Sequence, residues 1–140
     1  FIASSETIIE AVRQKADTYI YTNPLSVADC AAAVEALNIC DSPEGQERLK
    51  NLQERQKQMR DGFTALDMES IPGPHPVTPL LIRDTAKTRK MVVDFFEQGV
   101  LVVGLGFPVV PKGDEKIRFQ INADHTKEDI DYVLNVLSDL

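Results

Sequence analysis

The pattern of apolar and polar positions changes character at Gly62. Before it, apolar residues recur at the three- and four-residue spacing of helices that bury one face. After it, short apolar runs are separated by turn residues, which is typical of strands. The sequence therefore predicts a helical segment over residues 1–61 and an α+β domain over residues 62–140.

Three helices are predicted in the first segment, each behind a serine that can cap its first turn. The third helix also has Pro43 at its first position, where the missing N–H group costs nothing. It is expected to run to about Asp61. The capping serines are Ser4 or Ser5, Ser26 and Ser42.

The stretch between the first two helices interrupts the helical pattern. Tyr19–Tyr21 favours an extended chain, and Pro24 disfavours a helical conformation at Asn23. We therefore expect a turn or bend over residues 21–24, with small polar side chains displayed on it.

The second segment predicts four strands and two helices in the order β-β-α-β-β-α. This order favours a largely antiparallel sheet with helices on one face, an α+β sandwich. The helices are expected to begin behind the caps Asp84 and Thr126. The strands are predicted over Phe63–Met68, His75–Ile82, Val100–Val103 and Lys116–Ile121.

The last two predicted strands flank a loop that contains glycine and proline. Val100–Val103 is a continuous apolar run, which favours a strand buried on both faces. Gly104 and Gly106 then permit a positive φ or a close backbone approach. From residue 116 to 121 charged or polar residues alternate with apolar ones, so one face of that strand is expected to point into the core.

Composition restricts the classes of function. The net charge is −7 and the sequence pI is about 4.8, which argues against broad binding to nucleic acid or anionic membranes. We expect neither a signal peptide nor a membrane-spanning segment, since the sequence shows no such apolar run. Cys30 and Cys40 lack metal-ligand spacing, so we expect core or near-core thiols, no metal site and a cytoplasmic location.

Two stretches together resemble the α-oxoamine synthases, pyridoxal-phosphate enzymes that condense an amino acid with an acyl-coenzyme A. They are YIYTNPLS, residues 19–26, and GVLVVGLGFPVVPKGDEKIRFQINADHT, residues 99–126; residues 75–84 add a weaker match. Within the family, the second stretch is most similar to the glycine C-acetyltransferases, also called 2-amino-3-ketobutyrate coenzyme A ligases.

The resemblance implies that the chain is the C-terminal part of a homodimeric fold-type I enzyme that uses pyridoxal phosphate, with glycine and acetyl-coenzyme A as the favoured substrates. In that family a lysine forms a Schiff base with the cofactor, within a context of small residues and glycine. None of the eight lysines here lies in such a context. We therefore expect no catalytic residue in this chain and no activity from the chain alone.

The resemblance also assigns three binding residues. Arg118 matches the family's arginine that binds the substrate carboxylate. Thr22 matches the residue that reaches the cofactor phosphate of the neighbouring subunit, with Asn23 beside it. From its spacing alone Arg118 is better explained as a surface arginine on a strand, and only the family match reverses that. For Thr22 and Asn23, ordinary turn and capping chemistry fits the sequence equally well.

Two readings of another class remain open from the sequence. The chain can be a free-standing α+β module that binds a small ligand or partner without catalysis, or a module that serves only for dimerisation. Two observations argue against the free-standing module and suggest a longer protein. The sequence lacks an initiator methionine, and the apolar faces of its helices have no obvious surface to pack against. His75 and His125 are expected to be structural, while Lys112 and Lys116 could attract phosphates of acyl-coenzyme A.

Overall fold

The computed structural model describes residues 2–140, and these divide into two compact units, one ending at Ile39 and the other covering Cys40–Leu140. The first unit is helical. Its elements are α1 (Glu6–Lys15), α2 (Asp17–Tyr21) and most of α3 (Val27–Cys40).

The predicted extended stretch Tyr19–Tyr21 is wrong, because these residues form the short helix α2. The Thr22 N–H group donates to the Thr18 carbonyl at 3.0 Å and closes the last turn. Residues 22–26 are not helical, in agreement with the bend expected before Pro24.

The second unit carries the sheet and its covering helices. Its elements are α4 (Pro43–Ala65), β1 (Val77–Leu81), α5 (Thr85–Glu97), β2 (Val103–Leu105), β3 (Lys116–Gln120) and α6 (Lys127–Ser138).

Helix α4 begins as predicted but continues beyond the expected end at Asp61. The Ser42 side chain accepts a hydrogen bond from the Gly45 N–H group, with Pro43 at the first helical position. The helix passes through Gly62 to Ala65, so the strand predicted over Phe63–Met68 is wrong. Gly62 is required by tertiary packing instead, since a Cβ atom there would overlap the Leu134 methyl carbons of α6.

The three strands form an antiparallel sheet in the order β1-β3-β2, which confirms the predicted antiparallel pairing. Strand β3 is central. Its Arg118 stands opposite Pro79 of β1 and Val103 of β2.

Strand β2 differs from the prediction in both position and burial. It spans Val103–Leu105 rather than Val100–Val103, and Leu101 is 86% exposed. Gly99 has a φ of +73°, and the Val100 N–H group donates to the Phe95 carbonyl, so this segment caps α5 before the strand starts. The apolar run is therefore not a strand buried on both faces.

The core lies between the inner face of the sheet and helices α4, α5 and α6. Phe119 of β3 packs edge-on against Phe63 and Phe95, with ring centroids 5.4 and 5.5 Å apart. The fold class is α+β with helices on one face of the sheet, as predicted. Other buried apolar residues are Met59, Leu80, Met91, Ile117, Ile121, Ile130, Val136 and Leu137.

Candidate functional site

The predicted substrate residue Arg118 lies on the outer face of the central strand. The alternation of β3 turns Ile117 and Phe119 into the core and leaves Arg118 exposed. Within residues 2–140 its guanidinium has neither a hydrogen bond nor an ion pair with another side chain. An arginine with its planar fork unpaired can bind a carboxylate through two parallel hydrogen bonds.

The other cation of β3 is already paired. The Lys116 ammonium group donates to the Asp114 carboxylate at 2.9 Å, and its side chain is mostly buried. Lys112 remains exposed, with its ammonium 5.3 Å from the centroid of the Phe107 ring. Of the two lysines considered for phosphate binding, only Lys112 is therefore available.

The glycines of the loop are required by a close approach to α5. A Cβ atom on Gly104 would lie 2.7 Å from a methyl carbon of Val92, and one on Gly106 would lie 3.3 Å from the methyl carbon of Thr85. Of the two roles expected for these glycines, the structure uses close approach rather than positive φ. This packing lets β2 lie against α5 at the edge of the sheet.

Sequence reasoning missed Glu115, which is buried just before β3. Its carboxylate accepts hydrogen bonds from the Thr85 hydroxyl and the Gly113 N–H group, both at 2.8 Å. The Thr85 hydrogen bond, followed by those from backbone N–H groups, holds the pKa of Glu115 below its usual value. The alternation with Ile117 and Phe119 extends to residue 115 and could have indicated an inward side chain.

The predicted cofactor residues Thr22 and Asn23 lie in the first unit. Both are exposed and follow the last turn of α2. In the described part of the chain, neither the Thr22 hydroxyl nor the Asn23 side-chain amide has a hydrogen-bond partner. They are free to donate neutral hydrogen bonds to phosphate oxygens.

The two histidines have structural contacts. His75 Nδ1 accepts from the Val77 N–H group at 3.1 Å, and His125 Nδ1 accepts from the Asn122 N–H group at 3.3 Å. Each therefore orders a local turn, as the sequence predicted. Cys30 and Cys40 are free and exposed, so the expectation of core or near-core thiols is wrong.

A cavity of about 360 Å³ lies beside the C-terminal end of β3, on the side away from β1. The segment 99–102 forms one wall, Phe119 and Ile121 form another, and His125 and Tyr132 lie near α6. Arg118 does not line it.

Among residues 2–140, no cluster of acidic, histidine or cysteine side chains could hold a metal ion, and no helix has the length and apolar character needed to cross a membrane.

The chain is similar in sequence to two kinds of curated enzyme. The 8-amino-7-oxononanoate synthases of Thermosipho melanesiensis and Fervidobacterium nodosum are 36% and 34% identical over 96% of this chain. The mitochondrial 2-amino-3-ketobutyrate coenzyme A ligase of Mus musculus is 29% identical over 94% of it. The chain spans about a third of the length of these curated relatives.

Solved structures share the fold. A serine palmitoyltransferase from S. paucimobilis, with a bound pyridoxal phosphate–myriocin aldimine, superposes with a TM-score of 0.84 at 22% identity, over 98% of this chain and 34% of that one. An 8-amino-7-oxononanoate synthase from Francisella tularensis gives a TM-score of 0.74 at 22% identity, over 98% of this chain and 39% of that one.

A protein-family model assigns the chain to a family. The model for aminotransferase class I and II matches residues 1–137. The synthase and ligase relatives named above are α-oxoamine synthases, and this chain aligns with the C-terminal part of the longer proteins. The chain belongs to the aminotransferase class I and II family.

Proposed function

We propose that this chain is the C-terminal part of a pyridoxal-phosphate-dependent acyltransferase that condenses an amino acid with an acyl-coenzyme A to give an amino ketone. The observation that supports this most is the exposed guanidinium of Arg118 on the central strand, which has no side-chain partner among residues 2–140. Arg118 is the residue that the family motif assigns to the substrate carboxylate.

The surroundings of Arg118 favour a carboxylate ligand. Its neighbours across the sheet, Pro79 and Val103, are apolar and offer no competing anion. Lys116 is neutralised by Asp114, so the positive charge on this strand is concentrated on Arg118. A bidentate contact there would fix the orientation of the bonds around the amino acid's Cα atom.

The cofactor would be held in part by the first unit. The Thr22 hydroxyl and the Asn23 amide fit a phosphate group, because both are exposed neutral donors without other partners among the described residues. By the family motif they act on the cofactor of a second subunit, which makes a homodimer the proposed assembly. When bound, pyridoxal phosphate supplies the electron sink for a carbanion at the amino acid's Cα atom.

The substrates are proposed from the motif and from the names of the relatives. Both 8-amino-7-oxononanoate and 2-amino-3-ketobutyrate carry an amine on the carbon next to a ketone. We propose glycine and acetyl-coenzyme A as the first pair to test, because the stretch over residues 99–126 is most similar to the glycine enzymes. With carboxyl-labelled glycine or alanine, the product mass will tell whether the carboxyl group is retained.

The test of the site is Arg118→Ala in the whole protein. Loss of a hydrogen bond to a charged group is worth about 1.5–3 kcal/mol, so we expect the KM for the amino acid to rise by roughly 10- to 150-fold. The cofactor absorbance should not change, because Arg118 is assigned to the substrate alone. Arg89→Ala, which removes an exposed arginine of α5, is the matched control. Unchanged amino-acid kinetics in Arg118→Ala would remove the assignment.

The chain alone is proposed to be inactive, because it lacks a lysine in the family's Schiff-base context. Purified chain supplied with pyridoxal phosphate, glycine and acetyl-coenzyme A should release no coenzyme A thiol. Measurable turnover would contradict this.

The cytoplasmic location stays a prediction, which microscopy of the tagged whole protein would check.

A dimerisation module is the second candidate, and the exposed apolar side chains of α3, such as Val34 and Leu37, favour it. This candidate expects a concentration-dependent dimer of the chain in sedimentation, with no contribution to cofactor binding. Loss of cofactor affinity in the whole protein with Thr22→Val would argue against it and for the synthase.

A further inference from the structure

Glu115 occupies a position that the strand pattern reserves for apolar residues. It precedes β3 and shares the inward direction of Ile117 and Phe119, and it is only 2% exposed. A buried carboxylate is costly unless its oxygens are hydrogen-bonded. Here both oxygens have partners, so the group has a specific structural task.

The hydrogen bonds of Glu115 connect the loop between β2 and β3 to the region where α5 begins. One carboxylate oxygen accepts from the Thr85 hydroxyl in the first turn of α5, and the other accepts from the Gly113 N–H group of the loop. The Glu115 main-chain carbonyl also accepts from the N–H groups of Ile82 and Arg83, at 2.9 and 3.0 Å.

Arg83 adds a second attachment at the same place. Its guanidinium donates to the Gly113 carbonyl at 3.1 Å and pairs with the Glu69 carboxylate at 2.9 Å. Gly113 is therefore linked to the start of α5 through Glu115 and Arg83, and Gly106, at the other end of the loop over residues 106–113, lies close to Thr85.

Between these attachments the loop is held internally by backbone hydrogen bonds, from the N–H groups of Val109 and Val110 to the Gly106 carbonyl, but its side chains pack little against the core. Val109 is 75% exposed and Phe107 is 47% exposed, with Lys112 beside the Phe107 ring. Since little core packing holds these side chains, the position of the loop depends on its two ends.

We propose that Glu115 is a positioning residue that fixes the loop over residues 106–113 and the start of β3 to helix α5. It acts through the loop and through the strand that carries Arg118. Its consequence for catalysis rests on the function proposed above, whereas its effect on the loop does not.

The first test is amide exchange at Gly113 in the whole protein. Glu115→Ala removes the charged acceptor of this N–H group, so its exchange should accelerate by about tenfold or more, the value of one hydrogen bond to a charged group. Glu97→Ala removes an exposed glutamate of α5 and should leave the Gly113 exchange unchanged. Unchanged exchange in Glu115→Ala would overturn the proposal.

Two substitutions at Thr85 separate the hydrogen bond from general damage to the fold. Thr85→Val keeps the shape but removes the donor to Glu115, and should speed exchange at Gly113 by less than Glu115→Ala does. Thr85→Ser keeps the hydroxyl and should restore the slow exchange. Equal acceleration by valine and serine would assign the effect to packing at Thr85 and contradict the Glu115 contact.

The protonation state of Glu115 provides a further readout. Because hydrogen bonds to its charged form, first from Thr85, hold its pKa below the usual value, protection of Gly113 should be complete above that value and lost as pH falls through the lowered pKa. Glu115→Gln should show no such pH dependence. The ionisable groups adjoining Glu115 are Asp84, Arg83, Asp114 and Lys116, and they are the same in both proteins.

The kinetic test uses the same variants in the synthase assay. Glu115→Ala should raise the KM for the amino acid severalfold and change kcat less, while Glu97→Ala should match the wild type. Faster Gly113 exchange with unchanged KM would confine the role of Glu115 to the loop and rule out its effect on the amino-acid site. Absence of synthase activity in the wild type would instead refute the proposed function and leave the exchange result to decide the role of Glu115 in the loop.

Discussion

The two units of the chain contain equally regular helices but differ completely in what those helices bury. Within the described residues, α1, α2 and α3 contain no buried side chain. Each of α4, α5 and α6 buries three residues against its neighbours. Helical spacing of apolar residues therefore predicts a helix in both units, but it does not indicate whether the covering surface belongs to the same chain.

Helix α3 makes the contrast clearest. It is apolar around most of its circumference, yet Val27, Val34 and Leu37 are exposed. A helix of this composition is normally buried within a larger protein, and exposed apolar surface usually marks a contact with another surface. The helices of the second unit pack against other parts of the same unit. Substitutions in its core should therefore lower the free energy of unfolding of the isolated chain.

The largest effect is expected for Phe95→Ala in the second unit. Phe95 is fully buried and packs against Phe119, whereas its neighbour Phe96 is 66% exposed. Removing a buried phenylalanine costs about 3–5 kcal/mol, because a cavity remains. Urea unfolding of the chain should show this loss for Phe95→Ala and less than about 0.5 kcal/mol for Phe96→Ala.

If Phe95→Ala and Phe96→Ala were equally mild, the second unit would not have the packed core described above. Val34→Ala in the first unit is a further control, since its side chain is exposed. A large loss for Val34→Ala in the isolated chain would show that α3 is covered there.

The sequence predicted those elements whose signals are local. The Ser42-Pro43 start of α4, the Thr126 cap of α6 and the alternation of β3 all depend on neighbours within a few residues. The strand predicted over Phe63–Met68 failed because Gly62, a common helix breaker, is required by the distant Leu134. Contacts between elements far apart in sequence cannot be read from local propensity.

For the candidate site, the sequence predicted local exposure. The alternation of β3 predicted that Arg118 would be exposed, as it is, while its binding role, taken from a family motif, stays a prediction. Glu115 was missed because a glutamate between Asp114 and Lys116 looks like part of a solvated charged turn. Only its contacts with Thr85 and Gly113, from two separate segments, make it distinctive.

A smaller effect is expected for Gly62→Val, which tests the contact between α4 and α6. The added side chain would overlap the Leu134 methyl groups, and overpacking of this kind costs about 1–3 kcal/mol. Leu134→Ala in the same chain should recover part of the loss by making room. No recovery in the double variant would mean that Gly62 is needed for another reason.

The helix caps allow a direct comparison of the two units. Thr126 and Asp129 form a capping box at α6, with hydrogen bonds of 3.1 and 2.8 Å, whereas the Ser5 side chain makes no capping bond at α1. Thr126→Ala should therefore cost about 1 kcal/mol in urea unfolding. Ser5→Ala should cost nothing measurable, and an equal loss at both positions would contradict the difference between the caps.

The smallest effect is expected from the protonation of Asp129. Its hydrogen bonds from Thr126, first the backbone N–H group and then the hydroxyl, hold the pKa of Asp129 below its usual value. A lowered pKa means that the charged form stabilises the fold above the usual value and that this contribution is lost as pH falls through the lowered pKa. Unfolding free energies of wild type and Asp129→Asn should thus differ at neutral pH and converge in acid. Glu128→Gln, in the same turn, should follow the wild type, and a constant gap for Asp129→Asn would show that its charge is not what stabilises the cap.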